Sequence, residues 1–176
     1  MDIRRRLHTW VVRARRRAIR PQVLFGGVYG AVLASSMVAA LNQSGETSQA
    51  RHWHNAAWLL VTALASALAH GYAHHIAERG EDVHHGALAA VSAVVDEWPL
   101  LAATAPSFVM LLGAGLGWWP SQDIEYVALA FNTLLLFFWG LAAGRAGGRT
   151  WPAALRTGTA DAFLGVLVIV ANALIK

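Results

Sequence analysis

Five apolar stretches fill most of this 176-residue chain, and no long polar domain separates them. They run over Pro21–Leu41, Asn55–Ala77, Pro99–Trp119, Ile124–Ala143 and Ala154–Ile175. A bilayer's hydrocarbon core is roughly 30 Å thick, so a helix rising about 1.5 Å per residue needs about 20 apolar residues to cross it. All five stretches meet that length. Charged residues make up 14% of the chain and apolar ones 56%, against roughly 25% charged in an ordinary soluble domain. The predicted fold class is therefore all-α, a polytopic transmembrane helix bundle of about five spans. It forms a single domain over residues 21–176, behind a basic segment over residues 1–20.

The charges predict an orientation. Eight of the fourteen basic residues are arginines within the first twenty positions (Arg4, Arg5, Arg6, Arg13, Arg15, Arg16, Arg17 and Arg20). With the N-terminus inside, Arg79, Arg145, Arg149 and Arg156 join them, leaving only Arg51 and Lys176 outside. Such a bias places the N-terminus in the cytoplasm and, after five spans, the C-terminus outside. Ile3, Leu7, Trp10, Val11, Ala14 and Ala18 recur at helical spacing opposite the arginines. That pattern reads as an amphipathic helix lying in the headgroup layer, and a disordered basic tail is the competing reading. Both have anionic lipid as the partner. Nucleic acid is not expected, because no aromatic-studded basic platform accompanies the run. A cleaved leader over residues 1–41 is also disfavoured, its apolar region being about twice the usual length.

Small residues recur at four-residue spacing: Gly26, Gly30 and Ala34 in the first stretch, Gly113 and Gly117 in the third, Gly140, Gly144 and Gly148 leaving the fourth. In lipid such rows let helix backbones approach closely. They predict a tightly packed bundle or a dimer seam, and a homo-oligomer is expected. Between the second and third spans lies a cytoplasmic insertion over residues 78–98, with an apolar run, Ala87–Val95, too short to cross. The loop Asn42–Trp53 reads as short, polar and external. Pro99 suits a first helical turn. Pro106 falls inside the third span, where it removes a backbone hydrogen bond and predicts a kink.

Polar groups within spans need a partner or an aqueous cavity. The second span carries His70-Gly71-Tyr72-Ala73-His74-His75. His70 and His74 share a helix face at a spacing that can hold one divalent metal ion, whereas His75 reads as solvated near Glu78. The fifth span carries Asp161, the one carboxylate clearly within a span by this reading. His70 and Asp161 fall at similar depths, so a contact between them is expected, as a proton relay, half of an ion site or a structural pair. Asn132, Asn172, Ser35 and Ser36 read as glue between helices. Glu78, Glu81, Asp82, His84 and His85 form a second cluster that reads as a solvated acidic surface. Cysteine is absent, which excludes disulfides and thiolate metal sites. With no G-x-S-x-G, H-E-x-x-H or phosphate-cradling glycine loop, no enzymatic activity is expected. No organic cofactor is expected either, a divalent metal ion being the one candidate.

The stretches GGVYGAVLASSMVAAL, HGYAHHIA, EWPLLAATAP and the terminal ANALIK resemble small five-helix integral membrane proteins of high-GC actinobacteria. Thirteen arginines to one lysine fit that origin. The resemblance implies a multi-pass protein of the bacterial inner membrane rather than an activity. A fainter likeness is to the vacuolar iron transporter family, which has five spans and an acid-rich insertion between the second and third. Here Val28-Tyr29-Gly30 stands where that family carries an acidic residue before glycine, and the insertion is much shorter. Two functions follow as expectations. One is a small channel or transporter for protons or divalent cations using His70, His74 and Asp161. The other is a non-transporting membrane component that binds anionic lipid or a protein partner.

Overall fold

A computed structural model describes residues 21–42, 48–79, 95–120 and 122–175. They form five helices: α1 Pro21–Leu41, α2 Gln49–Arg79, α3 Trp98–Gly115, α4 Ile124–Ala146 and α5 Trp151–Ile175. All five are long and apolar enough to cross a membrane. The architecture is thus an all-α five-span bundle, compatible with an integral multi-pass membrane protein. The basic segment over residues 1–20 and the apolar run Ala87–Val95 lie, but for Val95, outside the described residues.

Helix ends depart from the hydropathy boundaries for local reasons. α2 begins six residues before the apolar stretch, so much of the expected polar loop Asn42–Trp53 is helix. Ser48 starts it: its carbonyl accepts from the Arg51 and His52 amides at 3.0 and 3.1 Å, and its Oγ accepts from Arg51 N at 3.3 Å. Such side-chain capping satisfies amides that a helix start leaves unpaired. α3 and α4 end in the same way. Gly117 and Gly148 adopt positive φ, +74° and +75°, and Trp118 N and Arg149 N reach back to Gly113 O and Gly144 O at 2.9 and 3.1 Å. This is the Schellman closure, which favours glycine in the left-handed position. α3 continues as one helix through Pro106.

α1 lies in the middle. It packs extensively on α3 and on α4; α2 packs on α3, and α4 on α5 through the most extensive interface of all. α2 and α5 thereby occupy opposite edges. The core is built from small residues, including Ala34, Ala56, Ala114 and Ala128 around Leu59, Leu111 and Leu129. Large apolar side chains point outward: Phe163 is 63% and Leu174 81% exposed. In water so much apolar surface would drive association, whereas lipid accommodates it.

The glycine rows divide by use. Gly26 and Gly30 seat α1 against Pro99 and Leu100 of α3, and Gly140 and Gly144 seat α4 against Gly158 and Ala154 of α5. Both are seams within one chain. Gly113 and Gly117 do not form a helix–helix seam. Gly113 makes room for the indole of Trp119, which folds back and donates to Met110 O at 3.1 Å. Gly117 supplies the turn that permits this. Of the polar residues read as glue, Asn132 accepts from Ser107 Oγ at 3.0 Å across the α3–α4 contact. Ser35 instead bonds its own helix, donating to Ala31 O at 2.8 Å. Ser36 is exposed and Asn172 buried.

Candidate metal centre

Near its C-terminal end α2 presents His70 and His74 on one face, as their spacing requires. Their rings meet edge to face, centroids 4.9 Å apart. The His70 ring stacks on Phe25 and Tyr29 of α1, at 5.3 and 5.8 Å and nearly parallel. The sequence builds this clamp by placing Phe25 and Tyr29 four apart, hence one above the other on α1. Stacking of this kind holds the ring orientation.

The third member is Glu97, which sequence reasoning passed over. Its Oε1 lies 4.0 Å from His70 Nε2, with side-chain exposures of 12% and 27% respectively. Glu97 immediately precedes α3, and its carbonyl accepts from Leu100 N at 3.0 Å. Its carboxylate makes no capping bond to its own helix. Both carboxylate oxygens therefore remain available to face α2. One ligand atom from each of His70, His74 and Glu97 lies within 4.8 Å of the others.

Two imidazoles and a carboxylate are the ligand set of several open zinc sites, with bonds of about 2.0–2.2 Å and a fourth position left for water or substrate. Tetrahedral angles at those bond lengths set ligand atoms about 3.3–3.5 Å apart. The His70–Glu97 separation is thus half an ångström or more too long, a gap of about one small side-chain rotation. Glu97, whose carboxylate makes no capping bond, is the member of that pair placed to make the rotation, since the His70 ring is stacked on Phe25 and Tyr29.

Asp161 is placed elsewhere. It lies on α5 against α4, where its Oδ2 fills the space that a side chain at Gly140 would take. His70 and Asp161 are not brought together. The contacts Gly26–Pro99, Gly27–Trp139 and Gly140–Asp161 run across one cross-section of the bundle, and His70 stacks beside them. Equal depth therefore did not mean contact: the two residues sit on the edge helices, with α1 between. Of the insertion's acidic cluster, Glu81, Asp82, His84 and His85 lie outside the described residues, as do the side chains of His75 and Glu78.

A second polar site stands at the opposite end of α2. His52 Nδ1 lies 3.1 Å from Glu125 Oε1 of α4, and the two side chains are 0% and 4% exposed. Asp161 is therefore not the lone carboxylate within a span. The sequence offered a signal for each missed residue: Glu97 abuts the Trp98-Pro99 helix start, and Glu125 stands a helical turn before Ala128 and Leu129 on the buried face. Comparison with protein-family models, curated proteins and solved structures finds no match to this chain, so its functional reading rests on this geometry.

Proposed function

We propose that this membrane protein handles divalent cations, taking one up at His70, His74 and Glu97 and acting as a small channel or transporter. The observation that carries the reading is the convergence of three ligand atoms within 4.8 Å at one end of a bundle of candidate spans. Imidazole with carboxylate suits borderline ions such as zinc over calcium or magnesium, which prefer all-oxygen shells. Glu97 takes the acidic role that the sequence suggested for Asp161. With the N-terminus inside, as the arginine bias favours, this end of the bundle is cytoplasmic. The inner membrane of a bacterium is the proposed location.

A second reading draws on the same end of the molecule. Arg149 and Arg156 line an open groove of about 600 Å³ with Ala153, Thr157 and Ala160. Arg149 is steadied by Thr157 Oγ1 at 3.1 Å, and Arg145 stands over the Trp151 ring at 4.5 Å. An interfacial aromatic beside arginines suits anionic headgroups, as a non-transporting, lipid-binding component requires.

Zinc titration of the detergent-solubilised protein by calorimetry, followed by zinc influx into proteoliposomes, tests both. Saturable binding near one ion per chain that is lost in His70→Ala/His74→Ala, together with influx lost in the same variant, supports the transporter. Binding without influx favours the non-transporting component. Absence of zinc binding refutes the metal reading.

A further inference from the structure

α2 stands at an edge of the bundle and touches α1 only lightly. Between them runs an open groove of about 580 Å³, lined by Tyr29 of α1 and otherwise by α2. Its polar lining is regular: Trp58, Thr62, Ser66 and His70 recur every four residues and so form one stripe along α2. At about 1.5 Å per residue the stripe is about 18 Å long, more than half of a hydrocarbon core of roughly 30 Å. It ends at His70, a member of the metal centre. At its other end the Trp58 indole is held by His54, to whose Nε2 it donates at 2.7 Å. Thr62 and Ser66 are partly buried, and neither hydroxyl has a hydrogen-bond partner among the described residues. That sets them apart. Ser35, Thr104, Thr133, Thr157 and Thr159 each turn the hydroxyl back to a carbonyl of their own helix, at 2.8–3.1 Å. A hydroxyl left bare in hydrocarbon costs free energy, and its own helix offers the nearest remedy. Two on one stripe that leave this remedy unused face an occupant able to hydrogen-bond.

We propose that this groove is a water-filled path along which a hydrated divalent cation reaches the His70, His74 and Glu97 centre from the opposite side of the membrane. The ion is that of the cation-handling reading, on which the route rests; the water in the groove does not depend on it. Liquid water takes about 30 Å³ per molecule, so the groove has room for on the order of twenty. Spread over about 18 Å, its volume gives a mean cross-section of about 30 Å², several times that of one water of about 1.4 Å radius. A cation can therefore keep part of its hydration shell, the Thr62 and Ser66 oxygens bonding to the waters it carries. No arginine or lysine lines the groove to repel it. The other flank of α2 differs in kind. Leu60 and Leu64, two residues before Thr62 and Ser66 and so about 200° round the helix, are 42% and 38% exposed and offer water no polar group.

The chain has no cysteine, so single-cysteine variants of the full-length protein test the groove directly. Thr62→Cys, Ser66→Cys, Leu60→Cys and Leu64→Cys are each reconstituted in proteoliposomes and treated with a charged, water-soluble thiosulfonate, which attacks a thiol only where water lets it ionise. Thr62→Cys and Ser66→Cys are expected to react at least about tenfold faster than Leu60→Cys and Leu64→Cys. Modified Thr62→Cys is expected to lose zinc influx while still binding zinc by calorimetry. Equal rates on the two flanks overturn the water-filled groove, whatever the protein transports. Fast labelling of Thr62→Cys with influx undiminished overturns the groove as the route. A parent protein that carries no zinc while the labelling contrast persists refutes transport, and the route with it, so the failure of that reading and the failure of the groove are told apart by the labelling.

Discussion

The α4–α5 seam gives the sharpest test of the packing. A Cβ placed on Gly144 would stand 2.8 Å from Ala154 Cα and 3.0 Å from Ala154 Cβ. Ordinary carbon–carbon separation is about 3.5–4.0 Å, so Gly144→Ala is short of room by about 0.5–1 Å. The nearest obstacle is backbone, and only a shift of α5 as a body relieves it. Overpacking of this kind costs about 1–3 kcal/mol, while alanine returns up to about 1 kcal/mol of helix preference over glycine. The net expectation is a loss of about 1–2 kcal/mol, roughly a tenfold change in the folded-to-unfolded ratio. Gly147→Ala is the control, because its Cβ would meet only Ala143 O and Gly144 O at 3.4 and 3.6 Å. Reversible unfolding in mixed micelles, followed by far-ultraviolet circular dichroism, measures both. A Gly144→Ala protein within about 0.5 kcal/mol of the parent would show that the helices do not meet at this distance. A Gly147→Ala protein equally destabilised would show that any added methyl harms this end, and that the seam is not the cause.

Three further outcomes are expected. Ser107→Ala removes the one described partner of Asn132 and should cost about 0.6–1.7 kcal/mol in the same unfolding assay; adding Asn132→Leu should recover most of it, since an apolar pair leaves nothing unsatisfied. Glu97→Gln should weaken zinc binding at least about tenfold by calorimetry, the loss metal sites show when even a carboxylate that only supports a ligand is removed. Gly113→Ala should displace the Trp119 indole, seen as a shifted Nε1–H resonance in the ¹⁵N–¹H spectrum, while a resonance left in place would contradict the folded-back loop.

Hydropathy made the fold legible because a span must be apolar along its whole length, whichever face it turns inward. The five stretches and the five helices agree to within a few residues, except where Ser48 starts α2 early. Which residues face one another was less accessible. Depth along a helix follows from counting, but neighbours in the plane depend on helix order, and nothing local in the sequence places α1 between the two edges. His70 was found by its rarity in an apolar segment and His74 by its spacing, whereas Glu97 was hidden as an interfacial acid. His52 was hidden by polar neighbours that made a helical turn read as a loop. The glycine rows show the same limit: their spacing is alike at Gly140 and Gly113, yet one serves a seam and the other an indole.

The two His–Glu contacts share a helix, and this bears on how the bundle could act. α2 carries His52 near its first turn and His70 near its last, paired with Glu125 of α4 and Glu97 before α3. One pair is closed at 3.1 Å and enclosed; the other is open at 4.0 Å and partly exposed. An ion drawing His70, His74 and Glu97 together pulls the end of α2 toward α3, its main packing partner. Because α2 makes only a light contact with α1, such a shift disturbs few core contacts before it reaches His52. Linkage then requires reciprocity: if zinc binding alters the His52–Glu125 contact, altering that contact changes zinc affinity. Zinc affinity measured by calorimetry in Glu125→Gln tests this, and a change from the parent value is expected. If the affinity is unchanged, the two ends of α2 act independently.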